Sequence, residues 1–384
     1  MIIGVIGLGT VGYGVVDILT KESKRLSKKI EQEVVVKYGC AMEERELPEG
    51  VIFTYNYQDV LQDPEVDVVV ELIGGTTIAK KIIEEALDAK KHVVTANKAL
   101  IAHHGKELLL KANKQNVHLF YEASVGGGIP IITPQYESLI ANNTKEITGI
   151  LNGTTNFILS LMETDNLDFN EALTIADGLG YLEADPSLDI DGIDAAHKIT
   201  ILASNAFDGF VDFNKLKPTG IASVTKTDMD YAKKLGYRIK LLARAKKEND
   251  NYFIDVSPTL ISKDDMVANV MGAYNVIEID NDYVENVLFY GKGAGRYVTA
   301  SAVVADIMKT NQKEFWTYQD RDIENISPIT KSKYYIRTNS PIDYDYEYYY
   351  SEKNVHIYIT KEVELKDLEE TLKNQTYSLF KVRG

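Results

Sequence analysis

Residues 1–12 read MIIGVIGLGTVG, and they decide the fold class. The apolar run IIGVIG is typical of a buried strand, and the following TVGYGVVDILTKESKRL is typical of a helix. Between them, Gly7, Gly9 and Gly12 have the G-x-G-x-x-G spacing, which permits a tight turn, close approach of a pyrophosphate and close helix–strand packing. The helix N-terminus would then face the anion. The sequence therefore predicts a dinucleotide-binding turn, and a glycine-rich turn that binds nothing is the alternative.

The first third of the chain alternates strands with helices. Further strands are predicted at EVVVKYG, VDVVVELIGG, KHVVTA and HLFYEAS, with helices at TIAKKIIEEALDAK and LIAHHGKELLLKANKQ. Such alternation indicates βαβ units, so the predicted class is α/β with a Rossmann-type doubly wound parallel sheet. From about Ile129 we expect an α+β domain, whose late helix TASAVVADIMKT could return to the first domain. The residues from about Ser332 predict a small β-rich tail.

The composition restricts the partners and the compartment. A net charge of −15 argues against nucleic acid, because phosphate repels an acidic surface. Cys40 is the single cysteine, which excludes an intramolecular disulfide and fits a reducing cytoplasm. No apolar run approaches the ~20 residues that span a bilayer. We therefore expect a cytoplasmic protein with a small-molecule partner and neither a nucleic acid nor a membrane.

The preference between NAD and NADP stays open. An acid ~20 residues beyond the glycine turn normally accepts the ribose 2′-hydroxyl. Here the segment reads KYGCAMEER, and no acid ends the predicted strand. Glu43 or Glu44 could serve that hydroxyl, whereas Arg45 could meet a 2′-phosphate.

Three other motifs each have a structural and a functional interpretation. Lys98 in TANKAL follows a parallel strand, where open α/β sheets bind ligands, but it could be a surface lysine. The glycines 126–128 could form a hinge, or a bend whose carbonyls converge on a cation. Gly153 and Thr154 precede a predicted helix whose free N–H groups could hold a carboxylate or be simply capped.

The stretch YLEADPSLDIDGIDAAHK, residues 181–198, gathers five carboxylates before a lysine. Asp194 and Lys198 are four residues apart on a predicted helix and share one face. A surface salt bridge worth under ~1 kcal/mol is the simpler interpretation. A partly buried lysine that transfers protons is the other, since the flanking IDAAHKITILA is apolar.

Together these segments resemble the homoserine dehydrogenases. GLGTVG, VVTANKAL, YEASVGGGIPII, LNGTTNFIL, LGYLEADPSLDIDGIDAAHK and FYGKGAGR occur in that family's order over residues 1 to about 310. The resemblance implies NAD(P)-dependent, reversible reduction of L-aspartate 4-semialdehyde to L-homoserine, in threonine and methionine biosynthesis. It also implies a homodimer or a higher homo-oligomer.

The resemblance implies a role for individual residues. Lys198 matches the proton donor, and Lys98 matches a lysine between cofactor and substrate. Asp194 would orient Lys198, while Asp185 and Asp191 are expected to be solvated acids. The remaining matches belong to three sites: the cofactor site (Gly7, Leu8, Gly9, Thr10, Val11, Gly12, Thr95, Lys98, Gly180, Glu183, Gly293), the substrate site (Gly153, Thr154, Tyr181, Glu183, Asp189, Asp194) and a monovalent cation site, for sodium or potassium, built largely from backbone (Glu122, Val125, Gly127, Ile129).

The tail departs from the family pattern. SKYYIRT resembles the start of an ACT module of βαββαβ order, but NSPIDYDYEYYY follows directly and leaves no room for the first helix. This shortened module argues against feedback inhibition by threonine. The expected domains are 1–128 with about 296–320 for the dinucleotide, 129–295 for the substrate and dimerisation, and 330–384 for the truncated ACT-like module.

Two rival functions remain at this level. One is a dinucleotide-binding regulator that kept the fold and lost the chemistry, against which both Lys98 and Lys198 argue. The other is an aspartate-semialdehyde dehydrogenase, which needs a nucleophilic cysteine, whereas Cys40 lies in the cofactor half.

Overall fold

The computed structural model describes residues 1–182, 185–314 and 316–383. The chain forms two compact units. Unit 1 contains Met1–Asn143, Thr200–Phe213 and Gly291–Ile323, and unit 2 contains Thr144–Ile199, Asn214–Tyr290 and Glu324–Gly384. These bounds differ from those of the three predicted domains, since the tail falls within unit 2.

The first stretch of unit 1 alternates strands and helices as the sequence predicts. Its elements are β1 (Ile2–Ile6), α1 (Thr10–Lys21), α2 (Ser23–Ile30), β2 (Val35–Cys40), β3 (Ile52–Thr54), α3 (Tyr57–Gln62), β4 (Val68–Glu71), α4 (Thr77–Asp88), β5 (His92–Thr95), α5 (Lys98–Gln115), β6 (Leu119–Phe120) and α6 (Ile132–Tyr136).

The middle of the chain is a mixture of helices and longer strands. Its elements are β7 (Thr144–Ile150), α7 (Gly153–Thr164), α8 (Phe169–Gly178), α9 (Ser187–Ile190), α10 (Ile193–Ala206), β8 (Phe210–Val211), α11 (Lys226–Lys234), β9 (Tyr237–Glu248), β10 (Asn251–Ser262), β11 (Tyr274–Asn281) and β12 (Asn286–Lys292).

The last part of the chain begins with a helix and ends in short strands. Its elements are α12 (Arg296–Lys309), β13 (Asp322–Ile323), β14 (Ile326–Ser327), β15 (Lys331–Thr338), β16 (Tyr346–Glu352), β17 (Val355–Thr360), β18 (Val363–Glu364), α13 (Leu365–Leu372) and β19 (Tyr377–Arg383).

Unit 1 is built on a parallel sheet in the order β3-β2-β1-β4-β5-β6. This is the order of a doubly wound dinucleotide-binding sheet. Strands are added on one side of β1 up to β3 and on its other side from β4 onward. The late helix α12 packs into the same core, because Val303 and Ile307 are fully buried in one cluster with Val15 and Leu19 of α1. The predicted return of this helix to the first domain is therefore seen in the structure.

Unit 2 contains a mixed sheet in the order β12-β11-β7-β9-β10-β19-β15-β17-β16. Most neighbours are antiparallel, but β10 and β19 run parallel, with Thr259 opposite Lys381. The tail strands thus continue the sheet of the substrate part. Within this sheet, the long strands β9 and β11 were not predicted from the sequence.

The tail contains β15, β16, β17, α13 and β19, in agreement with the predicted shortened module. No helix lies between β15 and β16 in this fully described stretch. Within the described ranges, no helix has both the length and the apolar character needed to cross a bilayer.

Asp228 anchors the tail to helix α11. Its carboxylate is fully buried and accepts hydrogen bonds from Arg337 Nε at 2.7 Å, Tyr335 OH at 3.1 Å and Ser378 Oγ at 3.1 Å. All three donors belong to tail strands. The buried Asp228 carboxylate depends on the half-buried Arg337 guanidinium, because a buried charge that loses its partner is poorly solvated.

We predict that Asp228→Asn lowers the free energy of unfolding by about 2 kcal/mol, since it removes the charged partner of the half-buried Arg337 guanidinium. Urea unfolding followed by circular dichroism measures the change. Asp345→Asn is the control, because the Asp345–Lys361 pair at 2.8 Å is exposed on both sides. Equal effects of the two substitutions would contradict the anchoring role of Asp228.

Candidate active site

The glycine turn between β1 and α1 is shaped by close backbone contacts. Gly7 has φ +102°, and a Cβ there would lie 2.5 Å from the backbone of Leu72. A Cβ on Gly12 would lie 1.8 Å from the carbonyl oxygen of Gly7. Neither position accepts a side chain, so these two glycines fix the tight turn and the close approach of helix to strand.

Gly9 has a different environment. A Cβ on Gly9 would meet no atom within 4 Å, and its φ of −69° suits any residue. Space is therefore left open directly before the first turn of α1, where backbone N–H groups have no partner within the helix. Such a cradle fits a dinucleotide pyrophosphate. Leu8 is buried beneath the turn, whereas Thr10 is exposed and Val11 is half-buried.

The neighbouring strand ends complete this edge of the sheet. Thr95 at the end of β5 is buried, and its hydroxyl donates to Glu71 Oε2 at 2.7 Å. Burial raises the pKa of the Glu71 carboxyl, although hydrogen bonds from Thr95 and from the N–H of Ile73 oppose the shift. Lys98 is the half-buried first residue of α5. The glycine turn, Thr95 and Lys98 thus share the carboxyl edge of one sheet, where such sheets bind ligands.

The end of β2 leaves the choice between NAD and NADP open. Cys40 ends the strand and is buried, and burial raises the pKa of its thiol to about 11. Such a thiol is a poor nucleophile, which removes the support for a cysteine-dependent dehydrogenase. Beyond it, Glu43 and Arg45 are exposed and pair with each other at 3.3 Å.

The glycine triplet lies against a buried acid. The Glu122 carboxylate accepts N–H hydrogen bonds from Ile131 at 2.6 Å, Ile132 at 2.8 Å and Thr133 at 2.8 Å, so it caps α6. The N–H of Glu122 donates to Asp306 Oδ2 at 2.7 Å. The side chain of Glu122 is therefore occupied, and a cation here would depend on backbone carbonyls.

The predicted cation residues surround this turn. Gly126 and Gly127 have φ values of +70° and +59°, and a Cβ on Gly127 would lie 2.4 Å from the carbonyl oxygen of Gly293. Val125 and Ile129 are buried beside them. Burial, together with the nearby Glu122, raises the pKa of Asp306 well above its usual value. The described residues contain no cluster of three or more acidic, histidine or cysteine ligands for a metal.

Unit 2 holds the lysine and carboxylates of the 181–198 stretch. Lys198 is buried, and its Nζ donates to Asp194 Oδ2 at 2.7 Å and to the carbonyl oxygen of Leu151 at 2.7 Å. Asn152 Nδ2 donates to the same Asp194 Oδ2 at 2.8 Å and to Asp189 Oδ1 at 2.7 Å. One amide therefore links two carboxylates, and one carboxylate holds the amine. Lys198 is not in a surface salt bridge.

The other predicted substrate residues border this network. Gly153 and Thr154 open helix α7, and Thr154 Oγ1 donates to the carbonyl oxygen of Tyr181 at 3.3 Å. The Tyr181 ring stacks on Phe157 at 4.4 Å between centroids. Gly180, with φ +75°, comes directly before Tyr181. Glu183, predicted for both substrate and cofactor, lies outside the described residues.

The two acids predicted to be solvated are exposed. Asp185 accepts a hydrogen bond from the N–H of Ser187 at 3.0 Å, and the Ser187 hydroxyl together with this N–H lowers the pKa of its carboxyl. Asp191 is exposed at the end of α9. The five carboxylates of the stretch thus include local turn residues as well as network members.

Two polar residues of the site were missed by the sequence analysis. Asn152 was overlooked although it precedes the predicted helix at Gly153, where asparagine is a common N-cap and its Oδ1 accepts from the N–H of Thr155 at 2.8 Å. Glu71 was overlooked although a charged residue ending the apolar run VDVVV is unusual. Either feature would have marked the residue for attention.

Comparison with known proteins agrees with this geometry. Residues 7–122 match the family model described as homoserine dehydrogenase, NAD binding domain, and residues 130–308 match the homoserine dehydrogenase model. The homoserine dehydrogenase of Synechocystis is 47% identical over 313 residues, which cover 80% of this chain and 72% of that protein.

Solved structures give the same result. The crystal structure of a homoserine dehydrogenase from Thiobacillus denitrificans matches with a TM-score of 0.93 and 34% identity, over 100% of this chain and 98% of that chain. A hyperthermophilic archaeal homoserine dehydrogenase mutant in complex with NADPH matches with a TM-score of 0.64 and 26% identity, over 82% of this chain and 98% of that chain.

The parallel sheet with its open glycine turn and the buried lysine among carboxylates are those of a nicotinamide-nucleotide-dependent oxidoreductase. Sequence and structure together narrow this class. The chain belongs to the homoserine dehydrogenase family.

We predict that Gly9→Ala leaves the melting temperature unchanged but weakens binding of the nicotinamide nucleotide by about ten-fold or more, because the added methyl group enters the space left for the pyrophosphate. Fluorescence titration with NADPH and NADH measures the binding. Gly12→Ala is the comparison and should also lower the melting temperature, since its methyl group meets the Gly7 carbonyl. Unchanged affinity in Gly9→Ala would show that the nucleotide does not approach this turn.

Proposed function

We propose that this chain catalyses the NAD(P)-dependent, reversible reduction of L-aspartate 4-semialdehyde to L-homoserine, in threonine and methionine biosynthesis. The observation that carries the proposal is the buried network of Lys198, Asp194, Asn152 and Asp189. A regulator without chemistry would not need a buried amine held by a carboxylate, since burying a charged pair is costly.

The charge of the network suits an amino-acid substrate. Asp189 and Asp194 carry two negative charges against the one positive charge of Lys198, so the described part of the site favours a cationic group. The substrate supplies an ammonium group, which we assign to Asp189 and Glu183, with Asp194 as a further contact. Gly153, Thr154 and Tyr181 would line the same site, and the N-terminus of α7 suits the substrate carboxylate.

Lys198 is the proposed proton donor. A bound nicotinamide supplies the hydride that converts the aldehyde carbon to an alcohol carbon. The aldehyde oxygen then gains negative charge, and an ammonium group held in a water-poor pocket can protonate it. Asp194 keeps the amine in place at 2.7 Å. Lys98 is the second proposed catalytic residue and would supply a further positive charge.

The cofactor would be held by the carboxyl edge of the unit 1 sheet. The proposed cofactor contacts are the turn residues 7–12, Thr95 and Lys98. Gly180, Glu183 and Gly293 are further proposed contacts. NADP or NAD is the proposed cofactor, and the NADPH complex of the archaeal relative supports NADP. We also propose that sodium or potassium binds the backbone around Glu122, Val125, Gly127 and Ile129. A cytoplasmic homodimer or higher homo-oligomer completes the proposal.

Purified protein should oxidise L-homoserine with reduction of the nicotinamide, because the equilibrium can be approached from the alcohol side. The increase in absorbance of the reduced nicotinamide measures the rate, with NAD and NADP in separate reactions. A potassium salt and a sodium salt should be compared with a salt of a bulky organic cation. Folded protein that turns over with neither cofactor would support the inactive regulator instead.

Lys198→Ala should lower kcat by about 10²-fold or more, which is the usual scale for loss of a general acid–base. Circular dichroism should show retained secondary structure with a lower urea midpoint, because Asp194 loses its charged partner and keeps the Asn152 donor. Lys226→Ala is the charge-matched control, because the Lys226 side chain is only partly buried and its amine donates to the carbonyl oxygen of Asn166, outside the Lys198 network. A kcat within a few-fold of the wild-type value would remove Lys198 from the mechanism.

A further inference from the structure

The carbonyl of Leu151 has an unusual position at the site. It lies just beyond β7, where Ile150 is paired with Val276 of β11. Two side chains donate to its oxygen: Lys198 Nζ at 2.7 Å and Asn275 Nδ2 at 3.0 Å. The amide of Asn275 thus contacts the group that holds the lysine amine, at the point where the strand pairing ends.

The Oδ1 atom of the Asn275 side-chain amide contributes no hydrogen bond to the described part of the fold. Asn275 is fully buried, and its Oδ1 has no hydrogen-bond partner among the described residues. This oxygen lies 3.4 Å from the place of a Cβ on Gly153, beside the first turn of α7. A buried acceptor without a donor destabilises a protein, so an apolar side chain of the same shape would suit the fold equally well or better. The Nδ2 donor therefore needs another explanation.

We propose that Asn275 is a positioning residue for Lys198, acting through the Leu151 carbonyl. This inference rests on the proposed function, because it concerns the proton donor of that reaction. The amide fixes the carbonyl oxygen, the oxygen holds one N–H of the lysine, and Asp194 holds another. Two fixed acceptors define where the amine lies, and misplacement of a reacting group by about 1 Å can cost on the order of 10²-fold in rate.

Asn275→Leu separates this role from a structural one. Leucine has the same branching, removes the unpartnered oxygen and leaves the Leu151 carbonyl with its lysine donor. The urea midpoint should therefore be no lower than that of the wild type. The kcat for homoserine oxidation should fall by about ten-fold while KM stays within about two-fold, since only the proton-transfer geometry is loosened.

Asn281→Leu is the matched control. Asn281 is fully buried on the same strand β11 and donates to the carbonyls of Ile279 and Glu285, both at 3.3 Å, while its Oδ1 accepts from Thr144 Oγ1 at 3.1 Å. Because all its polar atoms are used within the fold, this variant should lower the urea midpoint and leave kcat within about two-fold.

The outcomes are separable. A wild-type protein that does not oxidise homoserine contradicts the proposed function itself. An active wild type with an equally active Asn275→Leu variant overturns only the positioning role. If the leucine variant does not fold, Asn275→Ala takes its place, and an unchanged kcat or a loss confined to KM in that smaller variant would overturn the inference in the same way.

Discussion

The site depends on keeping one lysine amine buried. An ammonium group loses its hydration in a protein interior, and it stays charged only where a carboxylate and further acceptors replace the water. Lys198 meets this requirement with the Asp194 carboxylate and the Leu151 carbonyl, both at 2.7 Å. Each of these acceptors is in turn fixed by an asparagine. The amides of Asn152 and Asn275 therefore fix the two acceptors, and the acceptors fix the lysine amine.

In unit 1 the glycine turn leaves open space beside Gly9, where the cofactor is proposed to bind. Gly7 and Gly12 have no room for a side chain, whereas Gly9 faces open space. Because the turn is tightly packed at Gly7 and Gly12 and open at Gly9, it can present N–H groups to an anion without rearrangement. Glu71 and Thr95 on adjoining strands hold the neighbouring loop through buried hydrogen bonds. Rigid surroundings thus define the edge where the cofactor is proposed to bind.

The sequence predicted what is local and missed what depends on distant contacts. The alternation of strands and helices, the glycine turn and the order of the tail elements all follow from periodicity and turn chemistry within short windows. The charged strand β9 carries too many lysines and arginines to stand out as buried, and the alternation in β11 extends over only the four residues 277–280. Asn275 lies 124 residues from the carbonyl that it contacts, so no local pattern could indicate its role. Residue matches to the family gave Lys198 and Asp194, but not the amides that hold them.

The tail is not an independent appendage of the catalytic sheet. Strand β19 pairs in parallel with β10, and Lys381 on β19 donates to the buried Asp255 on β10 at 2.7 Å. A second attachment is formed by Arg337 and Ser378 of the tail, which donate hydrogen bonds to Asp228 of α11. Both attachments contain a buried carboxylate. Separating the tail from the sheet would therefore leave Asp255 and Asp228 without their cationic partners. A hinged movement of the whole tail away from the sheet would break both attachments.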